Sequence, residues 1–233
     1  MQEMWPTSQE ALVELQLELA ARARREPPWR PPADLLAIGG VFATGRRGVE
    51  GVGEAGEPAW ASAVLMEGGR LLARATLTGS FGAPYRPGLL ALRSGPLLAA
   101  AVQRAGALPD VLLVDATGLD HPRGAGLALH LGAALDVPTI GVTDRPLAAR
   151  AKAQPGDDRG SAAPLLLAGT TVGYLVRTRP AIRPVYAHGA WMTSPEVARD
   201  VVLQASHRSR TPEPLRQARR LARVARSGLD SPP

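Results

Sequence analysis

Leucines at 12, 15 and 19, with Val13 and Leu17 beside them, recur at helical spacing. Thr7 and Glu10 stand ahead of them at capping-box spacing, so an amphipathic helix is predicted over 8–25. The prolines between Pro27 and Pro32 break it. A strand is expected over 34–41 and a glycine-rich loop over 46–58. Apolar runs at 62–65 and 71–78 flank Glu67-Gly68-Gly69, the composition of a hairpin turn that needs positive φ. Beyond Pro87 the rhythm changes to helix (87–105), buried strand (111–114), helix (125–135) and buried strand (139–142). A Gly/Asp/Ser/Pro loop follows near 154–164, and Asp157–Ser161 is expected to be mobile. Later strands fall at 172–177 and 184–186, and helices at 196–206 and 214–227. The pattern is a meander followed by β-α-β units, a mixed sheet covered by helices. It reads as one domain over 1–233, with an N-terminal helix (8–25), a core (about 34–206) and a basic C-terminal helix (about 214–227).

Composition narrows this only a little. The chain has 233 residues, is 45% hydrophobic and contains no cysteine, enough for one sizeable core that owes nothing to disulfides. No apolar run approaches the roughly 20 residues of a membrane span and no leader pattern opens the chain, so a cytoplasmic protein without membrane contact, and a monomer, is expected. The net charge of +6 suits a nucleic-acid partner, but Lys152 is the only lysine, and an Arg-, Ala- and Gly-rich composition explains the charge equally well. Arg216, Arg219, Arg220, Arg223 and Arg226 make the last helix densely basic, suited to phosphate contact or simply to a solvated face.

Chemistry concentrates around Asp115, at the tip of the apolar run Val111–Val114 and ahead of Gly118, His121, Gly126 and His130. A carboxylate at the C-terminal end of a buried strand is a common catalytic placement in α/β proteins. Taken singly, Pro84-Tyr85-Arg86-Pro87 is an ordinary turn and helix start, and Gly118 and Gly126 are turn and packing glycines. His121 and His130 lack the i, i+4 spacing of a metal pair. Ser94 has no neighbouring base to make it a nucleophile, and Trp191 is better suited to packing than to base stacking.

Their joint order is more specific. Pro84-Tyr85-Arg86-Pro87-Gly88-Leu89-Leu90, then Asp115 through Gly132, then Val137–Val142 and Thr211–Arg216 resemble, in order and spacing, the conserved segments of the endonuclease V family. The resemblance runs from about Asp34 to Ala222. It implies an RNase H-like α/β fold, a substrate of DNA or RNA containing deaminated purines, chiefly inosine, and magnesium-dependent cleavage 3′ of the lesion. It also implies that Pro84, Tyr85 and Pro87 form a wedge beside an extruded base, and that Gly88, Leu90, Gly118, Gly126 and Leu147 line the pocket receiving it. Ala116 stands where the family has glycine.

The catalytic positions depart from that family. The first-strand aspartate is expected at Gly40, the helix glutamate at Ser94, the lysine after the second buried strand at Asp144, and a late histidine at Ala190. His188 lies two residues upstream of Ala190, roughly 6.6 Å away along an extended segment. Asp115 alone remains as a metal ligand of the expected trio, a poor magnesium site by itself. The expectation is therefore lesion binding with cleavage weak or lost. The alternatives are an active endonuclease with an Mg²⁺ site rebuilt from Asp115, Asp120 and Asp144, and an interaction scaffold with no nucleic-acid role.

Overall fold

The computed structural model describes residues 4–26, 28–32, 36–48, 51–207 and 209–228. Its elements are α1 (Gln9–Ala23), β1 (Ala37–Gly45), β2 (Pro58–Glu67), β3 (Arg70–Ser80), α2 (Leu90–Arg104), β4 (Val111–Val114) and α3 (Leu127–Leu135). There follow β5 (Thr139–Thr143), β6 (Arg150–Ala151), β7 (Ala162–Leu167), β8 (Thr170–Val176), β9 (Val185–Gly189), α4 (Pro195–Gln204) and α5 (Glu213–Arg226). The strands form one sheet in the order β3-β2-β1-β4-β5-β9-β8-β7-β6. β4 runs parallel to β1 and β5, and the remaining pairings are antiparallel. This is the mixed sheet flanked by helices that the sequence pattern leads one to expect.

Strand β4 is apolar throughout because both of its faces are covered. Leu112 and Val114 join the core beneath α1, α2 and α3, while Val111 and Leu113 join the one beneath α4 and α5. Alternation along β1 works the same way: Val41 enters the first core, Ile38 the second, and Phe42 packs with Ala218 of α5. Gly68 and Gly69, both at positive φ, make the tight turn between β2 and β3.

Several local expectations change. The cap of α1 is Ser8, whose Oγ accepts from the Ala11 N–H at 3.1 Å, and not Thr7. The predicted start of the first strand, Asp34, lies outside the described residues; β1 continues to Gly45, beyond the expected end. The loop expected up to Pro164 gives way to β7 at Ala162. The segment expected to be mobile is tied down by Arg177, a buried side chain that donates to the carbonyls of Pro155, Gly156 and Ile182 and to the Asp157 carboxylate. An Arg that keeps its charge under cover needs such acceptors, so the loop and the end of β8 stabilise each other.

Candidate functional site

Asp115 directly follows β4 and is partly buried. Both of its oxygens accept from Arg219 of α5, Nε at 3.1 Å and Nη2 at 2.9 Å. This two-bond fork is the strongest geometry available to such a pair. The side chains are 23% and 18% exposed, so solvent screens the pair only in part.

Beside Asp115 opens a cavity of ≈ 560 Å³, within the usual range for small-molecule and base pockets. Its walls include Tyr85, Pro87, Gly88, Leu90, Ala116, His121 and Leu147, with Asp144, Arg145 and Arg183 at the rim. Of the residues expected around a lesion, Tyr85, Pro87, Gly88, Leu90 and Leu147 are thus on the wall, and Pro84 is not. Gly118 and Gly126 are not on it either; they serve close packing behind it. A Cβ at Gly118 would lie 2.2 Å from the Gly189 carbonyl oxygen, and one at Gly126 would lie 2.3 Å from that of Thr117. Hydrogen bonds from Leu119 to Gly189 and from Gly126 to Gly118 close the same contacts.

The Pro84–Gly88 loop is held from below. Gly88, at φ +78°, turns its carbonyl to three donors: Gln16 Nε2 at 3.0 Å, Arg123 Nη2 at 2.9 Å and His121 Nε2 at 3.1 Å. Because His121 Nδ1 accepts from the Arg123 N–H at 3.2 Å, its proton sits on Nε2 and the ring is neutral. The Tyr85 N–H donates to Val52 at 2.7 Å, and the ring stands 47% exposed at the cavity mouth. A rigid loop presenting a half-exposed aromatic ring is a ready stacking surface.

The positions expected to carry catalytic partners are arranged otherwise than expected. Gly40 faces α5: a Cβ there would meet the Pro214 and Leu215 backbone at 2.4–2.7 Å. The β1 side chains lining the small recess shared by Ser94 and Asp115 include Val41 and Ala43, both apolar. Ser94 Oγ returns to the Leu90 carbonyl of its own helix at 3.3 Å. Asp144 is paired with Arg210 at 2.5 Å; burial would raise its pKa, but Arg210, with Arg219 and Arg183 nearby, holds it below the usual carboxylate range. Ala190 is buried against Gly118. Trp191 packs in the core with the Arg22 guanidinium 5.1 Å from its ring centroid.

Asp120 is likewise no ligand in waiting. It is fully buried and accepts from the N–H groups of Leu147, Ala148 and Ala149 at 2.7–2.8 Å. Its Oδ2 lies 3.7 Å from His188 Nδ1, and His188 Nε2 is 2.8 Å from the Thr143 hydroxyl. His130 stacks on Trp5, ring centroids 4.6 Å apart, and bonds to the Met4 carbonyl, so it is a core histidine. Among the described residues no three His, Asp or Glu side chains are grouped to hold a metal ion. The residues at Asp115 do not fit a magnesium site, which needs more than one carboxylate already engaged by a guanidinium.

Three buried histidines set a pH dependence. Burial pushes His188 down to about 4 against the opposing pull of Asp120. Burial also takes His121 to about 4, although its bond to Gly88 acts the other way, and it lowers His130. Unfolded, all three protonate near pH 6.5. Below that value the unfolded chain binds more protons, so the stabilisation is complete above about pH 6.5 and is lost as pH falls towards about 4. Urea unfolding between about pH 7 and 5 is expected to lose stability with a slope of about two protons from His121 and His188, increased further by His130. A flat profile over that window would show that these rings are charged in the folded protein.

Sequence reasoning missed the Arg219 fork, the Asp120 cap and the true facing of β1. Strand parity, which a shift of one residue reverses, was no usable signal for the last of these, and neither did any local pattern announce the pairing of Asp115 with a side chain 104 residues away.

The comparisons with known proteins agree with one another. Residues 47–220 match the family model described as Endonuclease V. Endonuclease V of Methanopyrus kandleri is 39% identical over 226 residues, covering 96% of this chain and 92% of that one. The crystal structure of endonuclease V from Streptomyces avermitilis matches with a TM-score of 0.83 and 32% identity, covering 97% and 96% of the two chains. Endonuclease V of Ciona intestinalis, solved in complex with a 24mer DNA containing an inosine followed by a ribo-adenosine, has the same fold, with a TM-score of 0.77 at 19% identity over 96% of this chain and 100% of that one.

Proposed function

The chain belongs to the endonuclease V family, and from that premise we propose that it binds DNA or RNA containing deaminated purines while cleaving weakly or not at all. One observation carries the second half of this reading: the carboxylate that would ligate the family's Mg²⁺ is held by the two-bond fork of Arg219. Its neighbours from β1 and α2, Val41 and Ser94, bring no negative charge. Phosphodiester hydrolysis by this chemistry needs an ion to activate water and to stabilise the leaving oxygen. A guanidinium–carboxylate pair supplies neither.

The binding half rests on the wedge and the cavity. Extruding a base costs a few kcal/mol of unstacking, offset when an aromatic side chain takes its place and the base finds a fitted pocket. Tyr85 stands at the mouth of a ≈ 560 Å³ cavity, and His121 and Gly88 fix the loop that carries it. Among the described residues no helix is long and apolar enough to cross a membrane, and we read the protein as a cytoplasmic monomer acting on nucleic acid.

Incubation with deoxyinosine DNA and with inosine RNA, in Mg²⁺ or Mn²⁺, separates binding from cutting. The expected result is a complex without nicking, with a preference for inosine over undamaged strands. Tyr85→Ala should weaken inosine binding by about 10-fold, the size of one lost base–aromatic stack, and leave binding of undamaged strands nearly unchanged. Metal-dependent nicking abolished by Asp115→Ala would end the proposal that cleavage is lost. Equal affinity for inosine and undamaged strands at moderate salt would end the lesion-pocket reading.

A further inference from the structure

We propose that Arg219 stands in for a divalent cation beside Asp115, so that this site holds a phosphodiester without metal. The inference rests on the nucleic-acid reading above, and it goes further by naming what neutralises the site. In a metal-dependent phosphodiesterase the ion screens acidic ligands from the substrate phosphate. A bare carboxylate would repel that phosphate. Here the fork of Arg219 on Asp115 cancels the charge from within the protein.

Arg219 also lines a second cavity, ≈ 480 Å³, between α5 and the loop after β1. Arg47, Arg216, Arg220 and Arg223 line it with Arg219. Of these, Arg216 is paired with Glu213. Among the described residues Arg47, Arg220 and Arg223 form no ion pair. Burial, with the like charges of Arg47 and Arg223, holds nearby Arg226 below its ordinary pKa.

Arg219 therefore links the two cavities: it lines the arginine groove and forks Asp115, which lines the first cavity. A guanidinium has five N–H donors. Two are spent on Asp115 and one on a long contact of 3.4 Å to Thr211 Oγ1, so donors remain for a phosphate oxygen. Planar two-bond recognition of phosphate is what arginine does better than lysine. A strand whose extruded base enters the first cavity would lay its adjoining phosphates along this groove.

Fluorescence anisotropy tests this with a labelled inosine oligodeoxynucleotide and an undamaged one of the same sequence, each in EDTA and in Mg²⁺ at constant ionic strength. Wild-type affinity is expected to agree within about two-fold between EDTA and Mg²⁺. Arg219→Ala should bind about 10-fold or more weakly in EDTA, and Mg²⁺ should restore part of the loss because Asp115 is then free. The Arg219→Ala/Asp115→Asn double variant should lose that response to Mg²⁺. Asp115→Asn alone should bind more tightly than wild type, still without metal. Arg220→Ala/Arg223→Ala should cut the salt slope by about 1.4 on single strands and stay indifferent to metal.

Wild-type binding that requires Mg²⁺, or Arg219→Ala binding in EDTA as wild type does, overturns the proposal. Should Arg219→Ala melt below the assay temperature, Arg219→Lys keeps the charge and decides instead: metal-independent binding with intermediate affinity is expected, and a requirement for Mg²⁺ overturns. The metal comparison is legible on the undamaged strand as well. Loss of inosine preference would thus sink the lesion-pocket reading while leaving this one standing, and a metal requirement would do the reverse.

Discussion

Replacing Gly40 with aspartate is expected to destabilise the protein by at least about 3 kcal/mol and to create no metal-dependent nicking, even when Ser94→Glu is added. Family resemblance makes this the obvious reconstruction, and packing forbids it. A Cβ at position 40 would sit 2.4 Å from the Pro214 carbonyl carbon, 2.5 Å from its oxygen and 2.7 Å from the Leu215 nitrogen. These are backbone atoms, so no rotamer change relieves the contact, and α5 must lift off β1. That helix buries Leu215, Ala218 and Ala222 completely, and separating it exposes them. The carboxylate itself adds the cost of an unpaired buried charge. Thermal and urea unfolding measure the first claim: a melting temperature within a couple of degrees of wild type would show that α5 yields freely. The β1 residues that share a recess with Asp115 and Ser94 are Val41, Phe42 and Ala43, not Gly40.

That case shows where sequence and structure part. Strand β4, the Gly68-Gly69 turn and helix α5 were legible because local pattern decides them: a doubly covered strand is apolar throughout, a tight hairpin needs positive φ, and a packed helix repeats apolar residues at 3.6. The facing of β1 was not, because strand parity has period 2 and a shift of one residue reverses every side chain. The resemblance sets the family's first-strand aspartate on Gly40. Only the Pro214 backbone, arriving from a helix over 170 residues later, shows that this position lies under α5. The same limit applies to Asp115 and Arg219: their fork joins the end of a strand to a helix in the last turn of the chain's topology. Tyr85, Gly88 and Leu147 meet at one cavity, and the segments that carry them are short and contiguous. Gly118 and Gly126 pack against backbone, and a glycine against backbone and a glycine against a base leave the same mark in a sequence.

Asp120→Ala carries the second large effect, expected at about 3–5 kcal/mol of lost stability. No solvent reaches this carboxylate, and it satisfies three consecutive backbone N–H groups, those of Leu147, Ala148 and Ala149. Alanine strands all three and removes the negative charge facing His188. Asp120→Asn should fall between, because its one carbonyl oxygen can keep Ala148 and Ala149 while its NH₂ group opposes the Leu147 N–H. The order wild type, Asn, Ala in urea unfolding is therefore the expected one. The consequence reaches the cavity, since Leu147 is part of its wall. At temperatures where Asp120→Asn remains folded, its preference for inosine over undamaged strands should shrink while its salt slope stays that of wild type. A metal ligand would behave differently: both variants would retain wild-type stability, and the defect would appear only when Mg²⁺ is varied.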